Sequence, residues 1–483
     1  MLDAGLGPPG QALGPPDRRH PAPRPHPRHR IPVAPVVPPG RGSTARRRLR
    51  AARVLGVVGA VLMVVSQGRL AAPIAEVQPS WLGLVGAFRT PAARGLAGGC
   101  LITGLVLLSW GFLLLVRLSR AGEVSTGAVV RTALLWVVPI VVGPPLMSLD
   151  VYSYVAQGEM LHQGFDPYHV GPEFMGGPFH DPVDPRWRAA HAPYGPLALL
   201  LSEVAVVVGR HSVIASVVIL RVVALASVAL TVLLVARMTS TSTRTRTVAL
   251  VAASPLVLVT LVSAAHHEAV VTVLVVGALA AQQARRPALG VALAAAALAD
   301  KLPGAVALGA LGVLHLAEAA GWRARVRVLA RDGLAVLAVW VPLALLVPDP
   351  LGWLRALSTP GLGHTWQAPV AVIGLVTRVP ESLVRAAAEV VSVLIVGRLL
   401  LTVRRRPLAA TVGWGLFAVA LLGPVLYPWY LAPAAAVLAT LDGSVAAAVS
   451  LLSGCWGLAL GIPLIERAAR LVVGPGESSS AGA

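Results

Sequence analysis

Apolar residues in this chain are gathered into about thirteen blocks, most of them 15 to 25 residues long, separated by short polar links. As an α-helix, a block of that length spans the roughly 30 Å hydrocarbon core of a bilayer. Charged residues make up only 13% of the chain, whereas soluble domains carry about 25%. The sequence therefore predicts an all-α polytopic membrane protein and excludes a soluble fold.

The predicted crossings follow directly from these blocks. Two further apolar stretches, 195–209 and 369–378, are too short or irregular to count and are interpreted as re-entrant or interfacial segments. The crossings are predicted at 52–72, 96–116, 128–147, 212–236, 247–264, 268–284, 288–299, 303–319, 331–348, 383–403, 408–426, 431–441 and 444–464.

The first 50 residues contain 12 prolines, 10 arginines and 3 histidines and show no periodic apolar face. This composition predicts a disordered basic tail in the cytoplasm, which either contacts anionic lipid or is a tether without a specific partner. The apolar run that begins near Ala51 follows a cluster of arginines and is interpreted as a signal anchor. We therefore divide the chain into a tail at 1–50, a membrane domain at 51–466 and a flexible C-terminal tail at 467–483.

Arginines concentrate in four connections, and the positive-inside rule assigns those connections to the cytoplasm. The polar clusters described below then fall together on the outer face. Lys301 is the only lysine in the chain, and the formal charge of +19 comes almost entirely from arginine, which makes nucleic-acid binding a poor inference. Cys100 and Cys455 lie inside apolar segments and predict neither a disulfide nor a cysteine metal site. The four connections carry Arg237, Arg244 and Arg246; Arg285 and Arg286; Arg323, Arg325 and Arg327; and Arg404, Arg405 and Arg406.

The long polar interval 148–194 is predicted to be an ordered extracytoplasmic loop with an amphipathic helix near 150–163 lying on the membrane surface. Helical spacing puts Asp150, Tyr154, Gln157 and Leu161 on one face of that helix. Asp150 stands at the outer end of a predicted crossing, where a carboxylate can act as a general base. The alternative is that Asp150 only caps the helix beginning at Val151.

A second polar cluster, His266-His267-Glu268, stands at the junction of two apolar spans. Ionisable groups in that location are expensive unless they are used. Metal ligation is one interpretation, but adjacent histidines on a helix point about 100° apart and cannot readily chelate one ion. Hydrogen bonding to a polar substrate is therefore favoured, and no metal site is predicted.

A third cluster, Asp300-Lys301-Leu302-Pro303, interrupts an alanine-leucine run. Proline breaks the helix, so unpaired carbonyls and the lysine charge would face a cavity. A compact point charge there indicates an anionic ligand such as a phosphate. The alternative is that Asp300 and Lys301 neutralise each other.

Aromatic residues near the outer face are either interfacial anchors or surfaces on which sugars stack. Loop 349–368 contributes Trp353, Arg355, His364 and Trp366, and the junction at 427–430 reads Tyr-Pro-Trp-Tyr.

These pieces together resemble one family in their order along the chain. They are SLDVYSYVAQGEMLHQGFDPY from Ser148, Tyr-Gly-Pro at Tyr194, the HHE junction, the K-L-P break and the late YPWY. The chain is similar, over about residues 120–440, to the polyprenol-phosphate-mannose-dependent α-(1→6)-mannosyltransferases of actinobacteria. Two departures are visible: the family tends to show His-Asn-Asp where this chain has HHE, and more often an uncharged residue where this chain has Asp300.

The resemblance implies a GT-C glycosyltransferase that uses polyprenyl-phosphate-mannose to extend a mannan or lipomannan-type glycolipid. Such an enzyme lies in the plasma membrane with its active site on the outer face. No cofactor is predicted for this chain, and the requirement for a metal ion is left open. In this chain Asp150 would be the catalytic base of an inverting displacement, and Lys301 and His364 would bind the donor phosphate. The substrate-binding residues would be Tyr152, Tyr154, Glu159, Asp166, Tyr168, Tyr194, His266, His267, Glu268, Trp366, Tyr427 and Trp429.

The alternative function is a secondary transporter or a lipid-linked sugar translocase. Transporters bind their substrates near the bilayer midplane, in broken helices of matching repeats. Here the ionisable residues gather at one predicted face and no half-to-half repeat is visible. A non-catalytic scaffold would leave the lone lysine in a proline break unexplained.

Overall fold

Helices account for the fold wherever the chain is described. The computed structural model describes residues 41–67, 81, 91–362 and 368–455, and within these ranges it contains helices and no strand. The predicted all-α class is therefore confirmed, and the apolar helices agree with a membrane protein. His364, Trp366 and the tail at 467–483 lie outside the described residues.

Seventeen α-helices occur in the described part of the chain. The first nine are α1 Arg41–Gln67, α2 Pro91–Arg120, α3 Thr126–Val142, α4 Asp150–His162, α5 Gly177–His180, α6 Pro196–Val208, α7 Val213–Met238, α8 Thr241–Ala252 and α9 Glu268–Gln283. They are followed by α10 Pro287–Asp300, α11 Gly304–Glu318, α12 Trp322–Leu346, α13 Pro369–Thr377, α14 Glu381–Leu401, α15 Leu408–Leu422, α16 Ala432–Ala439 and α17 Ser444–Cys455. A π-helix, Val257–Ser263, follows α8.

Each of the thirteen predicted crossings overlaps a helix, and the two uncounted stretches are helices α6 and α13. By length and composition, only four of the described helices can each span a bilayer. Helix α8 and the π-helix after it, bent by 57° relative to each other, form one further candidate span. Thirteen crossings therefore remain a prediction. The helices that qualify singly are Ser43–Ser66, Gly98–Arg120, Val213–Met238 and Trp322–Leu346.

Helix α1 begins at Arg41, ten residues before the predicted end of the basic tail. Its first turns are rich in arginine, a residue with good helix propensity, so the helix continues beyond its apolar segment. Residues 41–50 are thus helical.

The helix predicted near 150–163 is present as α4, but it is not a surface helix. Every residue from Val151 to Leu161 is buried, because α4 packs between α6 and α7. A Cβ atom at Gly158 would lie 2.4 Å from the backbone carbon of Ser202, so only glycine lets α4 and α6 approach this closely. The polar side chains of α4 therefore belong to an internal site and do not lie on a membrane surface.

Helices α9, α10 and α11 pack against one another next to the site. Helix α10 ends at Asp300, Lys301 has an extended backbone, and α11 begins at Gly304 after Pro303. The break predicted from the K-L-P sequence is therefore present, and it brings Lys301 to the end of α9 that begins with Glu268.

Candidate active site

A cleft of about 430 Å³, counted with the space open to solvent, lies between the start of α4, the loop before α6 and the segment before α16. Asp150, Ser153 and Gln157 share one face of α4 because their spacing matches the helical repeat. Aromatic side chains provide much of the remaining wall. The lining residues are Asp150, Ser153, Gln157, Trp187, Ala190, His191, Pro193, Tyr194, Tyr427 and Tyr430.

Asp150 is the first residue of α4, and its side chain makes no helix cap. The N-cap position belongs to Leu149, no side chain caps this helix, and the backbone N–H of Asp150 donates to Ser148 Oγ at 3.2 Å. The Asp150 carboxylate instead lies in the cleft, with its Oδ2 atom 3.8 Å from His266 Nδ1. The interpretation that Asp150 only caps the helix is therefore wrong.

Burial raises the pKa of the Asp150 carboxyl to about 6, with Lys301 lowering it and Glu268 and Asp184 raising it. A carboxylate with that pKa is ionised at neutral pH and is basic enough to accept a proton from a hydroxyl. His266 does not form an ion pair with it, because burial, aided by Lys301, lowers the pKa of His266 well below its ordinary value.

The three residues of the HHE junction face three different partners. Tyr154 Oη lies 3.0 Å from His266 Nδ1, His267 Nδ1 lies 3.4 Å from Asp300 Oδ1, and Lys301 Nζ donates to Glu268 Oε1 at 2.5 Å. The trio therefore does not converge on one point as metal ligands would. It ties α4, α9 and the break before α11 together.

One group of potential metal ligands is found among the described residues, away from the cleft lining. Ligand atoms of Asp166, His169 and Asp349 lie within 4.8 Å of one another. The guanidinium of Arg355 pairs with Asp349 and lies 3.2 Å from His169 Nε2. A cation already occupies this position, so the group is an ion-pair network linking two loops.

Lys301 does not pair with its neighbour Asp300, so the neutralising-pair alternative is wrong. The ammonium group pairs with Glu268, while Asp300 faces His267. The extended backbone at Lys301 sends consecutive side chains in different directions. Lys301 Nζ also lies 5.2 Å and 4.7 Å from the ring centroids of Tyr194 and Tyr430, within cation–π distance.

The Tyr-Gly-Pro sequence explains how Tyr194 reaches Lys301. The backbone N–H of Gly195 donates to the carbonyl oxygen of Asp300 at 2.9 Å. A Cβ atom at position 195 would lie 2.2 Å from the carbonyl oxygen of Ala299, so a side chain cannot fit. Glycine therefore allows the loop to press against the end of α10 and places Tyr194 in the cleft wall.

A stack of three rings closes the other side of the site. Trp429 lies parallel to His266, with 3.9 Å between ring centroids, and to Tyr427, with 4.7 Å. The stack connects the YPWY segment to the HHE junction and leaves Tyr427 on the cleft surface. The structure thus brings together the first-loop aspartate, Tyr194, the HHE junction, Lys301 and YPWY.

Four further predicted substrate-binding residues lie outside this group of residues and do not line the cleft. Tyr152 is buried near Arg221, and Glu159 contacts His211 and Gln163, each at 2.7 Å. Asp166 belongs to the ion-pair network, and Tyr168 packs in a separate apolar cluster with Trp353. Their roles in substrate binding stay predictions.

Sequence reasoning missed several lining residues, above all Trp187, His191 and Tyr430. Trp187 and His191 lie in the proline-rich part of the loop, where no periodic pattern shows which side chains point inward. Tyr430 belongs to the YPWY motif identified from sequence, but only the structure shows that it lies close to Lys301.

Comparison with known proteins adds an independent line of support. The family model described as alpha-(1→6)-mannopyranosyltransferase, N-terminal domain, matches residues 53–317, and the one described as MptB C-terminal domain matches residues 358–463. These matches identify the chain as a mannose-transferring glycosyltransferase. More narrowly, it belongs to the alpha-(1→6)-mannopyranosyltransferase family of actinobacteria.

Curated relatives also support membership of this family. Alpha-(1→6)-mannopyranosyltransferase A of Mycobacterium tuberculosis is 32% identical over 349 residues, covering 68% of this chain and 67% of the relative. A probable alpha-(1→6)-mannopyranosyltransferase of Mycolicibacterium smegmatis is 29% identical, covering 79% of this chain and 77% of the relative. No solved structure matches the chain. The mannosyltransferase interpretation is confirmed over the transporter alternative.

Proposed function

We propose that this mannosyltransferase moves mannose from polyprenyl-phosphate-mannose to a hydroxyl of a mannan or lipomannan-type glycolipid, forming an α-(1→6) linkage with inversion. The observation that carries the proposal is Asp150, a largely buried carboxylate in the wall of an aromatic cleft. The names of the relatives, which specify mannopyranosyl transfer and the 1→6 linkage, support it.

In the proposed reaction, an Asp150 carboxylate oxygen accepts the proton of the acceptor hydroxyl. The hydroxyl oxygen then forms a bond to the anomeric carbon of the β-mannosyl phosphate from the face opposite the phosphate. The bond from that carbon to the phosphate oxygen breaks, and its electron pair leaves with polyprenyl phosphate. The proton on Asp150 returns to solvent through the open cleft. General-base assistance of this kind contributes roughly a hundredfold to ten-thousandfold in rate.

The donor phosphate is assigned to the end of the cleft formed by Tyr194 and Tyr430. Both hydroxyl groups can donate hydrogen bonds, and Lys301 lies beside both rings with 13% of its side chain exposed. The Glu268 contact uses one of the three N–H donors of the ammonium, which leaves others for a phosphate oxygen. A positive charge held in place in a water-poor site stabilises a leaving phosphate. His364 remains a second predicted phosphate ligand.

The sugar rings are assigned to the aromatic walls. Trp187, Tyr194 and Tyr427 present flat apolar surfaces, whereas Ser153, Gln157 and His191 provide hydrogen-bonding groups. Ligand sites commonly combine such apolar walls with a few polar groups that fix orientation.

The most direct test is an assay of membranes containing the full chain with radiolabelled polyprenyl-phosphate-mannose and a short mannoside acceptor. We expect a labelled product whose linkage analysis gives α-(1→6) mannose. Label transferred with another linkage, or only from a nucleotide-linked donor, would contradict the proposal. Membranes containing the Asp150→Asn variant serve as the control for background transfer.

The plasma membrane and the outer face are proposed as the location of the site, supported by the four arginine-rich connections. Cysteine scanning tests this proposal in a chain with Cys100 and Cys455 changed to alanine. A cysteine at the exposed position Glu173 should react with a membrane-impermeant thiol reagent in intact cells. A cysteine at the exposed position Ser242 should react only after permeabilisation. The opposite pattern would place the cleft in the cytoplasm.

A further inference from the structure

Arg221 is a charged residue well inside the apolar helix α7, with only 2% of its surface exposed. A charge within a membrane span is expensive, and such residues are usually functional. No carboxylate lies within ion-pair distance of Arg221 in the part of the chain that the structure describes, and it does not line the cleft. Neither ion pairing nor direct substrate contact explains this arginine.

The guanidinium group of Arg221 instead binds the ends of two helical segments. Its Nη1 donates to the carbonyl oxygen of Gly143 at 2.5 Å and to that of Val141 at 3.2 Å, both at the end of α3. Its Nε donates to the carbonyl oxygen of Ser263 at 2.7 Å, at the end of the π-helix. Carbonyls at a helix C-terminus lack partners within the helix and carry partial negative charge, so a cation satisfies both needs.

Both helix ends lead directly into the candidate active site. Asp150 follows seven residues after Gly143, and His266 follows three residues after Ser263. The Ser263 hydroxyl strengthens the junction, because its oxygen accepts from the backbone N–H of Leu146 at 3.0 Å. The two chain segments that Arg221 joins therefore end in the two residues whose side chains meet at 3.8 Å in the site.

We propose that Arg221 is a positioning residue that sets the place of Asp150 relative to the HHE junction by bridging Gly143 and Ser263. The inference rests on the proposed function, in which Asp150 is the base. A planar guanidinium offers five N–H donors in a fixed fork and can hold three carbonyls at once, whereas an ammonium is a single point charge. Small displacements of a catalytic group cost large factors in rate, so the bridge acts on catalysis without touching substrate.

Arg221→Lys is the main test, since it keeps the charge but cannot hold the three carbonyls in the same geometry. We expect kcat per folded protein to fall at least about tenfold, while KM for donor and acceptor stays within about twofold. Amide hydrogen exchange in 143–150 should become faster at the same time. The matched control is Arg237→Lys, an exposed change near the C-terminal end of α7. It should leave kcat, KM and amide exchange unchanged.

Ser263→Ala provides a second variant without any change of charge. It removes the hydroxyl that binds Leu146, and we expect kcat to fall about threefold, the equivalent of about 0.65 kcal/mol in the barrier. Because Arg221 and Ser263 hold the same segment, the double variant should lose less than the product of the two single losses. Independent, fully multiplicative losses would contradict a shared positioning role.

Normal kcat in Arg221→Lys, or a loss explained entirely by less folded protein, would overturn the proposal. Faster exchange in 143–150 with unchanged kcat would overturn it as well, because the bridge would then not serve the reaction. The proposed function fails in a different way. If Asp150→Asn kept its activity while Arg221→Lys lost kcat, the base assignment would be wrong, and the bridge made by Arg221 would serve the reaction through the HHE junction and not through Asp150.

Discussion

The two ends of helix α9 carry two polar clusters that differ in how fully their buried polar atoms are paired. At its start, Glu268 belongs to the site cluster with His266, His267, Asp300 and Lys301. Several buried atoms there have no hydrogen-bond partner among the described residues. These atoms are His266 Nε2, His267 Nδ1, Glu268 Oε2, Asp300 Oδ1 and Asp300 Oδ2.

At the other end of α9, Gln282 belongs to a far-end cluster with His315, Arg331 and Asp332. His315 Nδ1 lies 2.8 Å from Asp332 Oδ2, and His315 Nε2 lies 3.0 Å from Gln282 Oε1. Arg331 Nε donates to Asp332 Oδ1 at 2.8 Å. The polar side-chain atoms that face each other in this cluster are therefore paired.

The comparison shows how a site differs from a structural network built of the same residue types. An unpaired buried polar group costs free energy, and a chain tolerates several together only where another need exists. In the far-end cluster no buried polar side-chain atom lacks a partner among the described residues, and the cluster joins α9, α11 and α12. The site cluster has unpaired buried polar atoms beside an open cleft, where a ligand could bond to them. The following variants test this difference.

The largest effect is expected from Asp150→Asn. Asparagine keeps the size of the side chain but cannot accept a proton, so kcat should fall at least about a hundredfold, the lower end for general-base catalysis. Donor binding and the amount of inserted protein should be unchanged. Asp181→Asn, at an exposed position in the same loop, is the control and should transfer normally. Near-normal turnover by Asp150→Asn would show that the carboxylate facing the site cluster at His266 is not the base.

The next effect concerns Lys301. If this ammonium stabilises the donor phosphate, Lys301→Met should lower transfer at least about tenfold, raise the donor KM and leave the acceptor KM nearly unchanged. Lys301→Arg should restore activity only in part, because the guanidinium is larger and planar. Steady-state kinetics with each substrate varied in turn would measure both.

A double variant separates this role from simple neutralisation of Glu268. Removing one partner of a buried ion pair leaves an uncompensated charge, so Lys301→Met alone can also reduce the amount of folded protein. Glu268→Gln combined with Lys301→Met removes that charge and should recover folded protein. Recovery of transferase activity as well would show that Lys301 only balances Glu268.

Much of the fold was predictable because lipid imposes long apolar blocks, and every predicted crossing overlaps a helix. The internal position of α4 was not predictable. Its polar residues suggested a surface, but the pattern cannot show that α6 and α7 cover both sides of the helix. The approach of α4 to α6 depends on Gly158, a residue that a sequence pattern does not mark as a contact.

In the site, Asp150, Tyr194, the HHE junction, Lys301 and YPWY were all identified from sequence. The alternative in which Lys301 and Asp300 neutralise each other was wrong, since Lys301 pairs with Glu268 and Asp300 faces His267. Arg221 shows the same limit: its partners are backbone carbonyls up to 80 residues away in sequence, and no residue type marks them. The one indication in the sequence was that Arg221 is the only charged residue within the predicted crossing 212–236.

The pH dependence of the reaction gives a third test. Asp150 must be ionised to act as a base, and burial raises its pKa to about 6 against the opposing charge of Lys301. Activity should therefore be full above pH 7 and fall about tenfold per pH unit below about 6. An ordinary exposed carboxylate would place that fall near 4. A pH–rate profile with a flat region down to pH 5 would contradict the assignment.

The same shift predicts an effect on stability. A carboxyl with a raised pKa in the folded state binds its proton more tightly there than in the unfolded chain. Its ionised form therefore lowers the free energy of unfolding at neutral pH. This cost decreases as the pH falls below about 6 and is gone below the pKa of the unfolded carboxyl, about 4. Asp150→Asn should accordingly raise the melting temperature at pH 7.5 and have little effect on it at pH 4. Thermal unfolding in detergent at the two pH values would measure this.

The smallest effect on catalysis is expected at the far-end cluster. Asp332→Asn removes the carboxylate that lies against His315 and Arg331, so both partners lose a charge-assisted hydrogen bond. Because 14% of the Asp332 side chain is exposed, water can replace only part of what is lost, and the melting temperature should fall by several degrees. Since no buried polar atom of this cluster lacks a partner among the described residues, kcat and KM per folded protein should match the unchanged chain. A selective fall in kcat at normal stability would show that the far-end cluster is coupled to the cleft through α9. The pairing of buried polar atoms would then not distinguish a structural cluster from a functional one.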